Sequence, residues 1–246
     1  MEYSHDYLVH YYEIDQKRRL TLPALIHYFE DIAVLNSEER GYTLDYYDKT
    51  HHGFMLLKWN IKIYSMPIFN ETITIITQPY SFKRFLANRK YRVENKEGKV
   101  LAEAKTLWVF ADTTTRKPDR IPEDLYLGFD TPKENEKYFE LLEDPPKLTS
   151  GLYELKIKAT GGDLDSNNHV NNVRYVDWVL ESLPKEFINE HHVNGIKVSY
   201  VKELNFDDEA ILFSEIKKEE DKTFSFHSFY NGDKDICHIE LEWRKE

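Results

Sequence analysis

The chain has 246 residues, 41% of them hydrophobic and 14% aromatic, with a single cysteine and a net charge of −11. This content supports a buried core and excludes a disordered chain, and one cysteine excludes an internal disulfide framework or a Cys-cluster zinc site. The negative charge argues against nucleic-acid binding, no apolar run approaches the ~20 residues of a membrane span, and the start resembles neither a secretory leader nor a transit peptide, so a soluble cytoplasmic protein is expected.

Residues 1–130 carry a net charge of −1 and residues 131–246 one of −10. Basic groups cluster in the first part: Lys17-Arg18-Arg19, Lys83-Arg84, Arg89-Lys90 with Arg92, and Arg116-Lys117 with Arg120. An acidic partner meets less repulsion there. Taken singly, each cluster reads as solvated charge on loops and strand ends.

In chain order, residues 7–12 read as a short strand. A helix is predicted over 20–39, because Leu22, Leu25, Ile26, Phe29, Ile32, Ala33 and Leu35 recur at three and four spacing. Thr21 is placed to cap it, and Pro23 is tolerated only in its first turn. Strands follow over 54–64, 72–79, 84–94 and 100–111, with Asn95-Lys96-Glu97-Gly98 as the turn between the last two. Residues 113–148 are polar and end in Pro145-Pro146, a connecting stretch with one short helix.

The second part repeats this plan. A strand over 152–159 precedes a helix over 169–183, which Pro184 stops; strands follow over 195–204, 210–217, 223–230 and 236–243, with Asn231-Gly232-Asp233 as a turn. Strand, helix and four strands therefore occur twice. Each helix must bury its apolar stripe on the antiparallel sheet that follows it. The expected class is α+β, a tandem hotdog with two long central helices, each wrapped by antiparallel sheet. The boundaries drawn are 1–130 for the N-terminal hotdog, 131–148 for a linker and 149–246 for the C-terminal hotdog.

The densest polar cluster, Gly161 to Asn172, precedes the second helix. Asp165, Asn167 and His169 alternate toward its start, where free backbone N–H groups and a partial positive charge suit a developing oxyanion. Capping explains one Asn or Asp, not five with a histidine in residues 165–172. A calcium loop starting at Asp163 fails, with Asn168 where glycine is needed and Arg174 where glutamate is needed. A transition metal on Asp163, Asp165 and His169 lacks a second histidine at helical spacing. No metal and no cofactor is expected.

The run from Asp163 through Asp165-Ser166-Asn167-Asn168-His169-Val170-Asn171-Asn172 to Trp178 resembles the signature of the acyl-acyl carrier protein thioesterases, the plant plastid enzymes and their bacterial relatives; this chain is expected to be one of the latter. Tyr11-Tyr12-Glu13-Ile14-Asp15 and the helix after it are similar to the family's N-terminal hotdog. The resemblance implies catalytic roles for Asp165, Asn167 and His169. It adds Glu203, in Tyr200-Val201-Lys202-Glu203. Plant members carry a cysteine after that glutamate, whereas this chain has Leu204, and Cys237 reads as a small buried hydrophobe. The chemistry is therefore expected to be thiol-independent.

The implied reaction is hydrolysis of fatty acyl-acyl carrier protein to free fatty acid, ending chain elongation. The implied partner is an acyl carrier protein bearing a phosphopantetheine-linked chain, with no nucleic acid and no membrane, and with a homodimer left open. Two mechanisms stand: Glu203 acts as general base toward water with His169, or Asp165 attacks the thioester to give an anhydride. By the same resemblance the acyl chain belongs in the N-terminal hotdog, near Met55, Leu57, Trp59, Phe29 or Ile32, each of which singly reads as core. The alternatives are a hotdog acyl-coenzyme A thioesterase and a non-catalytic acyl-binding protein.

Overall fold

A computed structural model describes residues 1–219 and 222–246, in two units, Met1–Leu142 and Glu143–Glu246. The first contains β1 (Tyr3–Leu8), α1 (Leu22–Glu39), α2 (Leu44–Thr50), β2 (His52–Ile63), β3 (Thr72–Lys83), β4 (Leu86–Glu94), β5 (Val100–Asp112) and α3 (Glu123–Gly128). Its strands pair antiparallel in the order β1-β3-β4-β5-β2.

Helix α1 starts where its cap dictates: the Thr21 hydroxyl accepts the Ala24 N–H at 3.3 Å, and Pro23 sits in the first turn. Its stripe of Leu22, Leu25, Ile26, Phe29, Ile32 and Ala33 is buried. Phe29 packs on Trp59 of β2 and Tyr91 of β4, with ring centroids 5.7 and 5.0 Å apart. Burial of each such side chain contributes roughly 1.5–3 kcal/mol, and this fastens the helix to the sheet. Trp59, Phe29 and Ile32 are core residues, while Met55 and Leu57 are half-buried. Pro79 is accommodated inside β3 beside a bulge, where the register to β4 shifts.

One expectation for this unit is corrected. The first strand lies at Tyr3–Leu8, and Tyr11–Glu13 forms a 3-10 turn, because the Glu13 carboxylate folds back to accept the His10 N–H at 2.7 Å. The polar stretch after β5 holds α3 and a second 3-10 turn, Lys133–Tyr138, and it is anchored: Ile121, Leu125 and Phe129 are buried with Phe82, Ala87 and Phe110. Those three apolar residues recur every four positions, a helical spacing too brief to stand out among the surrounding charges.

The second unit contains β6 (Tyr153–Lys158), α4 (Asn172–Ser182), α5 (Lys185–Glu190), β7 (His191–Tyr200), β8 (Glu209–Glu219), β9 (Lys222–Asn231) and β10 (Lys234–Lys245). Its order, β6-β8-β9-β10-β7, repeats that of the first unit. Val173, Val176 and Val179 of α4 are buried, as the periodicity requires. The helix starts three residues later than expected. Asn171 caps it by accepting the Val173 N–H at 2.8 Å, and the Val170 N–H is already committed to the Leu204 carbonyl at 2.8 Å. Each unit thus sets one long helix on a five-stranded antiparallel sheet, the α+β tandem hotdog. Among the described residues no helix is long and apolar enough to cross a membrane.

Candidate active site

The polar cluster folds into a loop in which each residue type has a physical task. Asp163 is the buried anchor. Its carboxylate accepts the Thr160 N–H and hydroxyl at 2.8 and 2.6 Å and the Arg174 Nε–H at 2.8 Å, and a second Arg174 nitrogen binds Asp177 at 2.6 Å. Burial alone pushes the Asp163 carboxyl up, but the Thr160 and Arg174 hydrogen bonds outweigh it and hold the group below the usual carboxylate range. Asp165 shapes the tip: its Oδ1 accepts the backbone N–H of Asn167 at 2.8 Å and of His169 at 3.2 Å. The chain turns at Asn168, with φ of 61°, a left-handed conformation that asparagine tolerates. Asn167 is exposed at the tip.

Glu203 falls within the strand predicted over 195–204, but it sits just past β7, in a segment tied at residue 204 to the loop and to α4. The Leu204 carbonyl takes the Val170 N–H, and the Leu204 N–H donates to the Tyr175 hydroxyl of α4 at 3.2 Å. His169 forms a single antiparallel bridge with Asn205. This pairing brings His169 Nε2 to 3.4 Å from Glu203 Oε2, with 25% and 44% of the two side chains exposed. Imidazole and carboxylate thus stand together at the surface, where water has access. Tyr175 was not singled out from the sequence, although it lies within the signature run. Its role depends on a contact across the fold that spacing does not reveal.

The same loop is built in the first unit. Asp15 Oδ1 accepts the N–H groups of Lys17 and Arg19 at 2.8 and 2.9 Å, Arg18 turns with φ of 60°, and the Asp15 N–H donates to the Arg19 carbonyl at 2.8 Å, as Asp165 does to His169. The Leu20 N–H donates to the Pro67 carbonyl as Val170 does to Leu204, and Arg19 bridges Ile68 as His169 bridges Asn205. The chemistry is not repeated. Lys17 and Arg19 stand where Asn167 and His169 stand, and Met66, which precedes the paired Pro67, occupies the place of Glu203. What the two loops share builds the turn, and what differs distinguishes the second. Asp165 belongs to the shared part.

Cys237 lies in β10, fully buried, and burial pushes its thiol well above the usual range. That environment suits an inert core side chain rather than a nucleophile.

Sequence models of the acyl-ACP thioesterase N-terminal and C-terminal domains match residues 1–129 and 148–245. The chain is 28% identical over 226 residues to the chloroplastic oleoyl-acyl carrier protein thioesterase 2 of Arabidopsis thaliana, covering 84% of this chain and 60% of that protein. It thus spans about three fifths of the length of the first curated relatives it matches. The fold is shared with an acyl-ACP thioesterase from Bacteroides thetaiotaomicron, with a TM-score of 0.84, 22% identity and coverage of 99% of this chain and 98% of that one. It is shared also with the 12:0-ACP thioesterase from Umbellularia californica, with a TM-score of 0.85, 19% identity and coverage of 100% and 94%. With both of its halves matched by the family's two domains, the chain belongs to the acyl-ACP thioesterase family.

Proposed function

We propose that the protein hydrolyses the thioester of fatty acyl-acyl carrier protein, releasing free fatty acid and ending chain elongation. The observation that carries this reading is the His169–Glu203 pair, 3.4 Å apart and open to solvent, at a loop whose counterpart in the first unit lacks both groups. Glu203, with His169, takes a proton from water as the water oxygen attacks the thioester carbonyl carbon. Asn167 offers its amide to the carbonyl oxygen as negative charge develops there. The C–S bond then breaks, the proton passes to the leaving thiolate, and the products are a carboxylic acid and a thiol.

Asp165 acts as a positioning residue. One of its oxygens is held by two backbone N–H groups, the same bonds that Asp15 makes where no reaction is assigned. This favours water activated by Glu203 over direct attack by Asp165. The acyl chain is assigned to residues 1–130, the N-terminal hotdog, with residues 131–148 as linker and 149–246 carrying the reacting groups. The partner on this reading is acyl carrier protein, and one buried free thiol suits the reducing cytoplasm.

The test is thiol release from a panel of acyl-carrier proteins and matching acyl-coenzyme A esters. Faster hydrolysis of the carrier-protein esters, lost in Glu203→Gln, supports the reading. Preference for coenzyme A esters replaces the donor, and binding without turnover replaces the reaction.

A further inference from the structure

Arg89 of β4 is buried in the first unit with 7% of its surface exposed. Strand alternation puts it on the same face as Tyr91, whose ring packs on Phe29 of α1, so its side chain enters the space between sheet and helix. Its Nη1 donates to Asn36 Oδ1 at 3.1 Å and to Thr77 Oγ1 at 3.2 Å, and the guanidinium lies 6.0 Å from the centre of the Phe129 ring. All of these partners are neutral. No carboxylate pairs with Arg89 among the described residues, although a buried cation without a counter-charge costs several kcal/mol. A second observation points the same way. Asn36 is 1% exposed, and its Nδ2, adjacent to the oxygen that Arg89 holds, makes no hydrogen bond among the described residues. Two sets of donors are therefore left over at one buried place, and both lack an acceptor.

The geometry points to a binding site for a carboxylate carried on an alkyl chain. The Nε–Nη2 edge of Arg89 offers the planar two-donor fork that a carboxylate matches, and the Asn36 amide adds a third donor. Phe29, Phe129 and the ring faces of Trp59 and Tyr91 give the surroundings apolar surface, and Trp59 Nε1 is a further buried donor without a partner among the described residues. An amphipathic anion satisfies both features, whereas a plain methyl end would leave the donors dry. That the chain is a fatty one rests on the proposed function. The carboxylate has two sources on that reading: the fatty acid just released, or a second carboxyl at the far end of the acyl group.

Binding is tested on the full chain by thermal shift with octanoate and octanol, which share a chain and differ in charge. Octanoate is expected to raise the wild-type Tm more than octanol. Arg89→Met removes the fork, and Asn36→Asp supplies an internal counter-charge; each is expected to abolish the octanoate advantage while leaving the octanol effect. Equal shifts from the two ligands in the wild type, or an octanoate advantage that survives in a folded variant of either kind, overturns the site. A second arm separates the sources. A far-end carboxyl shows as a kcat/KM ratio for suberyl over octanoyl thioester that drops about tenfold or more in Arg89→Met, about 1.4 kcal/mol. A product role shows as octanoate inhibition lost in Arg89→Met with that ratio unchanged. The binding arm needs no turnover, so a protein that binds octanoate without hydrolysing thioesters refutes the proposed reaction and leaves the site standing.

Discussion

His169 Nε2 lies 3.4 Å from Glu203 Oε2, and the main chain beside each residue holds the other in place: the Val170 N–H bonds the Leu204 carbonyl, and His169 bridges Asn205. A pair fixed through backbone keeps its geometry when one side chain is altered. Glu203→Gln is therefore expected to fold with an unchanged circular dichroism spectrum and Tm. Its kcat should fall by about a hundredfold to ten-thousandfold, the usual worth of a positioned general base. Thiol-release kinetics check this, and near wild-type turnover by the folded variant removes Glu203 from the reaction.

Asp165 and Asp15 permit a matched comparison, since they make the same pair of backbone hydrogen bonds. Asp165→Ala and Asp15→Ala should each lower stability by about 1–2 kcal/mol in urea unfolding, the typical cost of losing hydrogen bonds from backbone N–H groups to a carboxylate. Only the first should reduce kcat. Asp165→Asn keeps an oxygen for both N–H groups, so it should retain kcat to within about tenfold with KM unchanged. Complete loss in folded Asp165→Asn would instead identify Asp165 as the nucleophile.

Arg174 joins the start of α4 to the anchor of the loop through Asp163 at 2.8 Å, and it also holds Asp177 at 2.6 Å. Asp163 is the more buried partner, so removing the cation leaves a nearly buried carboxylate short of donors. Arg174→Met should cost about 2 kcal/mol in Tm or urea measurements, since the partly exposed arginine is screened. The loop should loosen before the sheet does, seen as faster amide exchange at Asn167 and His169.

His227 in β9 is fully buried between the hydroxyls of Ser214 and Ser225 at 2.8 and 2.7 Å, and Ser182 and Trp243 extend the chain of bonds. Burial lowers its pKa from 6.5 to about 3. The folded state therefore resists a proton that the unfolded chain accepts below about pH 6.5. The stabilisation is complete above that pH and is lost progressively as pH falls toward 3, at up to about 1.4 kcal/mol per pH unit. Urea unfolding at pH 7 and pH 5 should show this decline, and His227→Gln should flatten it. An equal decline in the variant would assign the effect to other groups.

The amino-acid pattern determined much of this protein by itself. The helical stripe from Leu22 to Ala33, the cap Thr21, the turns at Gly98 and Gly232 and the strand runs are local signals. Their periods and turn chemistry act over a few residues, so they are legible without a fold. The cluster from Asp163 to His169 was legible for the same reason. Tertiary structure alone decided what depends on distant segments meeting. It set Glu203 against His169 through Leu204, fixed the start of α4 at Asn172, buried Ile121, Leu125 and Phe129 under a stretch that reads as polar, and enclosed Arg89 among neutral partners. It also showed Asp15 and Asp165 making the same turn from dissimilar neighbours, because a turn is specified by its backbone hydrogen bonds while its chemistry is set by the side chains that those bonds leave free.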